Sequence, residues 1–307
     1  TLFLYTTLFR SHNFHSRDER AIADVLKEKL TALGLTVTED KAGEVLGGNT
    51  GNLYAQLPGS ADGEPVLFSA HMDRVGNHGH IVPLVKEEEG KIVSDGTSIL
   101  AGDDIGGVAA ILAMLREVKE KQIPHGPIEV AFSVCEETGV EGSRQYDFSK
   151  FHSKSAFVYD ASGKAGTIVL AAPSKGRVTI RAHGVTAHAG NEPEKGLNAL
   201  KVAADLIMQL PDGRLSPVST ANFSIIEAGS ATNVVCDLVT ITGEQRSRDA
   251  KEYQQISADI QAAADRISEK YHTKIEVELH TLYHAFKLEE TARSCVLAKE
   301  AAEAVGA

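Results

Sequence analysis

Residues 65–73 read Pro65-Val66-Leu67-Phe68-Ser69-Ala70-His71-Met72-Asp73. An apolar run without polar alternation fits a strand covered on both faces, as in a parallel sheet. It breaks abruptly into a histidine and a carboxylate two residues apart. Period-two alternation puts His71 and Asp73 on the same side of the chain. Open α/β sheets carry their sites just beyond the carboxyl ends of their strands, so this stretch sets both the architecture and the place to look for chemistry.

Toward the N-terminus, Ser16 and Glu19 read as a capping box that opens a helix. Its stripe of Ile22, Val25, Leu26, Leu30 and Leu33 ends at Gly34. A strand (LTVTED), a Gly-rich turn and a second strand (NLYAQLP) follow. Beyond Asp73 the pattern gives a helix from Ile105 to Lys121, a buried strand from Ile128 to Cys135 and another strand from Ala156 to Tyr159. Strands alternating with helices predict an α/β domain with a mostly parallel sheet. Near Pro173 the character changes to strand (RVTIRAHG), helix (GLNALKVAADLIMQL), two strands (ANFSIIEAG and VVCDLVTITGEQRS), helix (AKEYQQISADIQAAADRISEKY) and strand (KIEVELHTLY). That β-α-β-β-α-β order is a ferredoxin-like α+β unit inserted into the first domain.

The expected boundaries are 12–173 for the first part of the α/β domain, 174–286 for the insert and 287–307 for the return. Residues 1–11 (TLFLYTTLFRS) read as the translation of a sequencing-adapter oligonucleotide and are set aside as an artefact. The last stretch stops inside a helical pattern, as a fragment would.

With 31 Lys and Arg against 42 Asp and Glu among 307 residues, the net charge of -11 argues against binding nucleic acid or an anionic membrane surface. No apolar run is long enough to cross a bilayer. The three cysteines (Cys135, Cys236, Cys295) show no pairing rhythm, so a reducing cytoplasm is expected.

Three further strand ends carry carboxylates. The Gly-rich approach Ser94–Gly107 contains Asp103 and Asp104 before a helix start. One such carboxylate can bridge two metal ions about 3.5–4 Å apart, although helix capping alone would account for one Asp. Glu136 and Glu137 close the second buried strand; one can ligate a metal while the other stays free as a general base. Asp160 follows the third strand and, taken singly, reads as a turn residue. His71 reads as a ligand whose ring is oriented by Asp73. This imidazole–carboxylate set suits zinc, cobalt or manganese better than a thiolate site.

The segments SAHMDRV, SDGTSILAGDDIGG, VCEETGVEGS, VYDASG, GVTAHAGNEPEKGLNA and GSATNVVCDLVTITGEQRS resemble the co-catalytic zinc metallopeptidase family that includes tripeptide aminopeptidases, carboxypeptidase G and the aminoacylases. The peptidase-T-like group is the nearest likeness, and it runs from about residue 15 onward. It implies a three-layer catalytic domain and an inserted lid or dimerisation domain. By the same resemblance, two divalent ions, first of all zinc, would be held by His71, Asp103, Glu137 and Asp160, with Asp103 bridging. Glu136 would be the general base with Asp73 behind His71, while His188, Asn233 and Arg246 would bind substrate. It also implies a cis peptide at Asp103–Asp104, a short peptide substrate, and a homodimer through the insert. Removal of acyl groups from amino acids on the same site is an alternative activity, and a binding protein without catalysis is another. Two departures stand out. Ile105 replaces a common Lys, and nothing after Phe286 matches the family's last His ligand, so an incomplete second site with little activity is expected of the chain as it stands.

Overall fold

The computed structural model describes residues 14–76 and 81–307. The stretch 1–11, read above as an artefact, lies outside them. The chain forms two compact units: one runs up to Ile168 and resumes over Thr291–Ala307, and the other is Val169–Glu290.

The first unit contains α1 (Arg20–Ala32), β1 (Thr36–Glu39), α2 (Ala42–Leu46), β2 (Leu53–Leu57), β3 (Val66–His71), β4 (Pro83–Lys86), β5 (Lys91–Ser94), α3 (Gly102–Glu120), β6 (Ile128–Ser133), β7 (Ser155–Val158) and the helix Arg293–Val305. Among the described residues its main sheet has the order β1-β2-β6-β3-β7. β3 pairs in parallel with β6 and β7, whereas β1–β2 and β2–β6 are antiparallel. The sheet is therefore mixed. The three parallel strands end at a common rim: His71 is the last residue of β3, the Cys135–Glu137 turn comes just after β6 and Asp160 just after β7. Every residue of β6 is buried. Leu26 and Leu30 of α1 and Ile105, Val108 and Leu112 of α3 share one apolar cluster with Leu53, Val130 and Phe132 of the strands.

Ser16 and Glu19 do not form the expected capping box. Glu19 occupies the N-cap of α1 without a side-chain cap bond, and Asn49 Oδ1 accepts the Arg20 N–H at 2.9 Å instead. Both candidate capping side chains are taken by buried groups at strand ends. Ser16 Oγ donates to Asp73 Oδ2 at 2.6 Å and Glu19 Oε1 accepts the Cys135 N–H at 2.9 Å. Three further elements of this unit go beyond the sequence reading: α2 lies within the expected Gly-rich turn, and β4 and β5 form an antiparallel pair before α3.

The second unit contains β8 (Ala171–Ala172), β9 (Ser174–His183), α4 (Ala199–Ile207), β10 (Gly213–Ser216), β11 (Ser219–Ala228), β12 (Leu238–Ser247), α5 (Ala250–Tyr271), β13 (Ile275–Tyr283) and β14 (Phe286–Lys287). Its sheet has the order β10-β11-β12-β9-β13, with all pairs antiparallel. This is the ferredoxin-like order with one extra edge strand, β10. Val202 and Leu206 of α4 and Ile256 and Ile260 of α5 pack with Val178, Ile180, Val239 and Ile241 of the strands. The helix starts carry their own caps: Asn198 accepts from Leu200 N, and Asp249 from Lys251 N and Glu252 N. No described helix is long and apolar enough to cross a membrane.

Candidate metal centre

His71, Asp103 and Asp160 each offer one ligand atom, and these atoms all lie within 4.8 Å of one another. His71 Nε2 is 2.9 Å from Asp103 Oδ1, 3.9 Å from Asp160 Oδ1 and 3.9 Å from Glu136 Oε2. Its Nδ1 lies 2.9 Å from the Asp73 carbonyl and 3.3 Å from Asp73 Oδ1. Nδ1–H points at these Asp73 acceptors, so Nε2 is the nitrogen turned toward the carboxylates.

The two adjacent aspartates divide their tasks. The Asp103–Asp104 peptide is cis, as the family resemblance implies. Asp103 is exposed toward the cluster, while Asp104 is buried. Asp104 Oδ2 accepts the His71 N–H at 3.1 Å and Oδ1 accepts the Gly107 N–H at 3.2 Å. The capping role that sequence alone could give either residue falls to Asp104, which leaves the Asp103 carboxylate to the cluster. Sequence reasoning gave Asp104 no separate role, and its position two residues past a glycine carries no signal for one.

Cys135 takes a left-handed conformation, φ +51°, and the chain reverses there. Glu136 N donates to Asp73 Oδ1 at 2.9 Å and Glu137 N to Asp73 Oδ2 at 3.1 Å. Asp73 thus holds the imidazole and the acidic turn together. Glu137 stays outside the tightest three-residue group. Its Oε1, however, is buried with no hydrogen-bond partner among the described residues.

The electrostatics fit a cation. Burial lifts Glu136 to about 7, with the Asp160 and Glu137 charges adding to it against the pull of His71. Burial likewise raises Glu137, with help from the Asp103 charge, and raises Asp160. Asp104 is pushed up to about 8, again chiefly by burial. Burial disfavours a charged His71, but the Asp73 hydrogen bond and charge, with Asp104 and Asp160, outweigh it and raise the ring to about 10. Crowded acids that resist ionisation beside a buried, unpaired acceptor are what a divalent ion would relieve. The donor set of one imidazole and several carboxylates fits such an ion.

The remaining sequence candidates lie in the second unit. His188 and Asn233 are exposed neighbours: Ala189 N donates to Asn233 O at 2.9 Å, and His188 bridges Val234. Arg246 is near the far end of β12 from Leu238, where its Nε donates to Glu244 Oε1 at 2.6 Å. Eight residues of strand separate Leu238 from Arg246, roughly 26 Å, so the unit does not bring Arg246 to the other two.

Two family profiles match the chain: Peptidase family M28 over residues 52–190 and a peptidase dimerisation domain over residues 173–272. The uncharacterised protein YqjE of Bacillus subtilis is 36% identical over 291 residues, covering 95% of this chain and 78% of its own length. Peptidase T of Staphylococcus carnosus is 28% identical over 240 residues, which span 77% of this chain and 57% of that protein. Among solved structures, aminopeptidase PepT from Bacillus cereus shares 37% identity at a TM-score of 0.86, covering 99% of this chain and 81% of its own. A tripeptidase from Staphylococcus aureus shares 32% identity at a TM-score of 0.92, with the same coverage, 99% and 81%.

Proposed function

The chain belongs to the peptidase-T-like group of metallopeptidases, and from that premise we propose that it hydrolyses peptide bonds in short peptides as a tripeptide aminopeptidase. The convergence of His71, Asp103 and Asp160 within 4.8 Å, beside Glu136, carries this reading. His71, Asp103, Glu137 and Asp160 would hold two divalent ions, zinc first and cobalt or manganese next, with Asp103 between them. Bound there, the ions would polarise the scissile carbonyl and acidify water.

The chain's own residues do the rest. Glu136 takes the proton of the attacking water on its carboxylate and later passes it to the leaving amine. Its carboxylate, 3.9 Å from His71 Nε2 at the edge of the cluster, is placed for both halves of that exchange. Asp73 keeps the His71 ring turned and the Glu136 turn in place. His188, Asn233 and Arg246 would grip the substrate's carbonyl and carboxylate oxygens. A tripeptide spans about 10 Å, so it cannot reach both ends of β12. This supports a homodimer in which one copy offers His188 and Asn233 and its partner offers Arg246, in keeping with the dimerisation-domain match. The three free, buried cysteines agree with a reducing cytoplasm.

Glu136→Gln tests the reading. Hydrolysis of a free-amine tripeptide should fall by about 10²–10⁴-fold while the bound metal stoichiometry stays unchanged. Full activity in that variant, or no divalent metal on the unaltered chain, would rule it out. An N-acyl amino acid offered beside the tripeptide separates peptidase from deacylase.

A further inference from the structure

The acidic turn is held from a second direction. The consecutive N–H groups of Cys135, Glu136 and Glu137 all donate to buried carboxylates, the first to Glu19 Oε1 and the other two to Asp73. Asp73 has an evident reason to be there, because it also orients His71. Glu19 does not. It lies 116 residues before Cys135 in the chain, is 0% exposed, and provides no side-chain cap for the helix it precedes. Its Oε2 is buried with no hydrogen-bond partner among the described residues. A buried acid costs free energy; besides backbone donors of its own lead-in, Glu19 holds the amide next to Glu136, with the Cys135 thiol 3.6 Å from the same oxygen. From the same lead-in to α1, Ser16 Oγ donates to Asp73 Oδ2 at 2.6 Å.

We infer that Glu19 is a positioning residue for hydrolysis: by accepting the Cys135 N–H it sets the pitch of the turn that presents Glu136 and Glu137, while Ser16 steadies Asp73 from the same segment. This rests on Glu136 as base and Glu137 as ligand. The left-handed Cys135 has φ +51° and lacks the freedom of a glycine, so an outside acceptor on its amide is a direct way to hold that conformation.

Glu19→Gln and Glu19→Met separate positioning from mere stability. Gln keeps a carbonyl oxygen for the Cys135 N–H; Met keeps the volume and removes the acceptor. In the full chain, with cobalt(II) titration followed by absorption and tripeptide hydrolysis normalised to bound cobalt, Glu19→Met should lose about 10–100-fold in kcat and show an altered cobalt spectrum. Its KM should stay within about twofold. Glu19→Gln should keep kcat within about threefold although its Tm falls, because its amide adds buried donors without acceptors. Activity then follows the acceptor, not the melting temperature. Unaltered kcat and spectrum in Glu19→Met, or equal losses in both variants, would overturn the inference. If Glu19→Met does not fold, Ser16→Ala provides the second arm, with an expected drop of about three- to tenfold in kcat at unchanged KM; no drop there would also overturn it. Absence of cobalt binding by the unaltered chain, or full activity of Glu136→Gln, instead removes the assignment beneath it and the inference with it.

Discussion

Gly107, in the first turn of α3, separates two halves of the proposed metal centre, and Gly107→Ala tests that arrangement directly. A Cβ built there collides with Asp104 Oδ1 and lies 2.7 Å from Tyr159 Cβ and 2.8 Å from Tyr159 O. Ordinary contact begins near 3.4 Å, so relieving the backbone overlap alone needs a shift of about 0.6 Å (3.4 less 2.8). Tyr159 is bonded to Asp160, and Gly107 is four residues from Asp103. The displacement therefore opens the gap between two proposed ligands, and metal sites tolerate only about 0.2 Å in ligand distance. A loss of about 10–100-fold in metal affinity follows, similar to the loss of an outer-shell partner. Stability moves two ways. Overpacking costs about 1–3 kcal/mol, and alanine in a helix returns about 0.5–1 kcal/mol. A net loss near 1 kcal/mol should lower Tm by about 2–4 °C. Isothermal titration with zinc and differential scanning calorimetry of the metal-free chain read the two effects separately. If Gly107→Ala binds zinc as tightly as the unaltered chain and melts higher, Tyr159 does not rest on Gly107 and the site geometry is wrong.

Three other outcomes are expected. Glu129 is buried and accepts hydrogen bonds from Tyr54 OH and Ser153 Oγ and from the backbone N–H groups of His152 and Ser153. Burial opposes its charge, but these donors prevail and hold it at about 2, below its ordinary 4.5. Its contribution is therefore complete above pH 4.5 and fades as the pH falls toward 2; Glu129→Gln should cost about 1–3 kcal/mol at neutral pH and flatten the acid limb of a Tm–pH curve. An unchanged acid limb would contradict this. Ile260, 0% exposed in α5, anchors the second unit's core; Ile260→Ala should destabilise by about 2–5 kcal/mol in denaturant melts yet leave zinc affinity intact, since His71, Asp103 and Asp160 all lie in the first unit. Zinc at a hundred times its Kd should stabilise the chain by about 2.7 kcal/mol and a chelator should reverse the gain; a Tm indifferent to both would argue against a metal centre.

Much of this fold is legible because burial and spelling coincide. Val66–Ala70 and Ile128–Ser133 are near-continuous apolar runs and become the central parallel strands β3 and β6, while the 3.6-residue stripe of α1 turns Leu26 and Leu30 into the core. The β4–β5 pair is hidden for the opposite reason. β4 is largely exposed and β5 only half-buried, and the turn between them is the acidic run Glu87–Glu89 with Gly90 at φ +61°, which reads as solvated loop. Strand ends reveal His71, Glu136 and Asp160 as candidates, since polar residues closing apolar strands stand out, whereas Asp103 lies at the start of α3, beyond the antiparallel β4–β5 pair. Which of Asp103 and Asp104 faces outward is tied to the His71 and Gly107 amides that Asp104 accepts, and cannot be read from two identical letters.

The Ser16–Glu19 pair shows where local rules yield, and why. A capping box satisfies two helix amides and is worth about 1 kcal/mol. Asp73 is 0% exposed and carries a charge that must be met by donors or cost several times as much. The Arg20 amide can be served by Asn49 instead. Asp73 and the Cys135 amide lie 57 and 116 residues away along the chain from the side chains that serve them. When an exposed amide and a buried charge compete for one hydroxyl or carboxylate, the larger penalty decides. The four-letter spelling is the same in both cases, so only the three-dimensional neighbourhood of β3 and β6 distinguishes a helix cap from a clamp on the acidic turn.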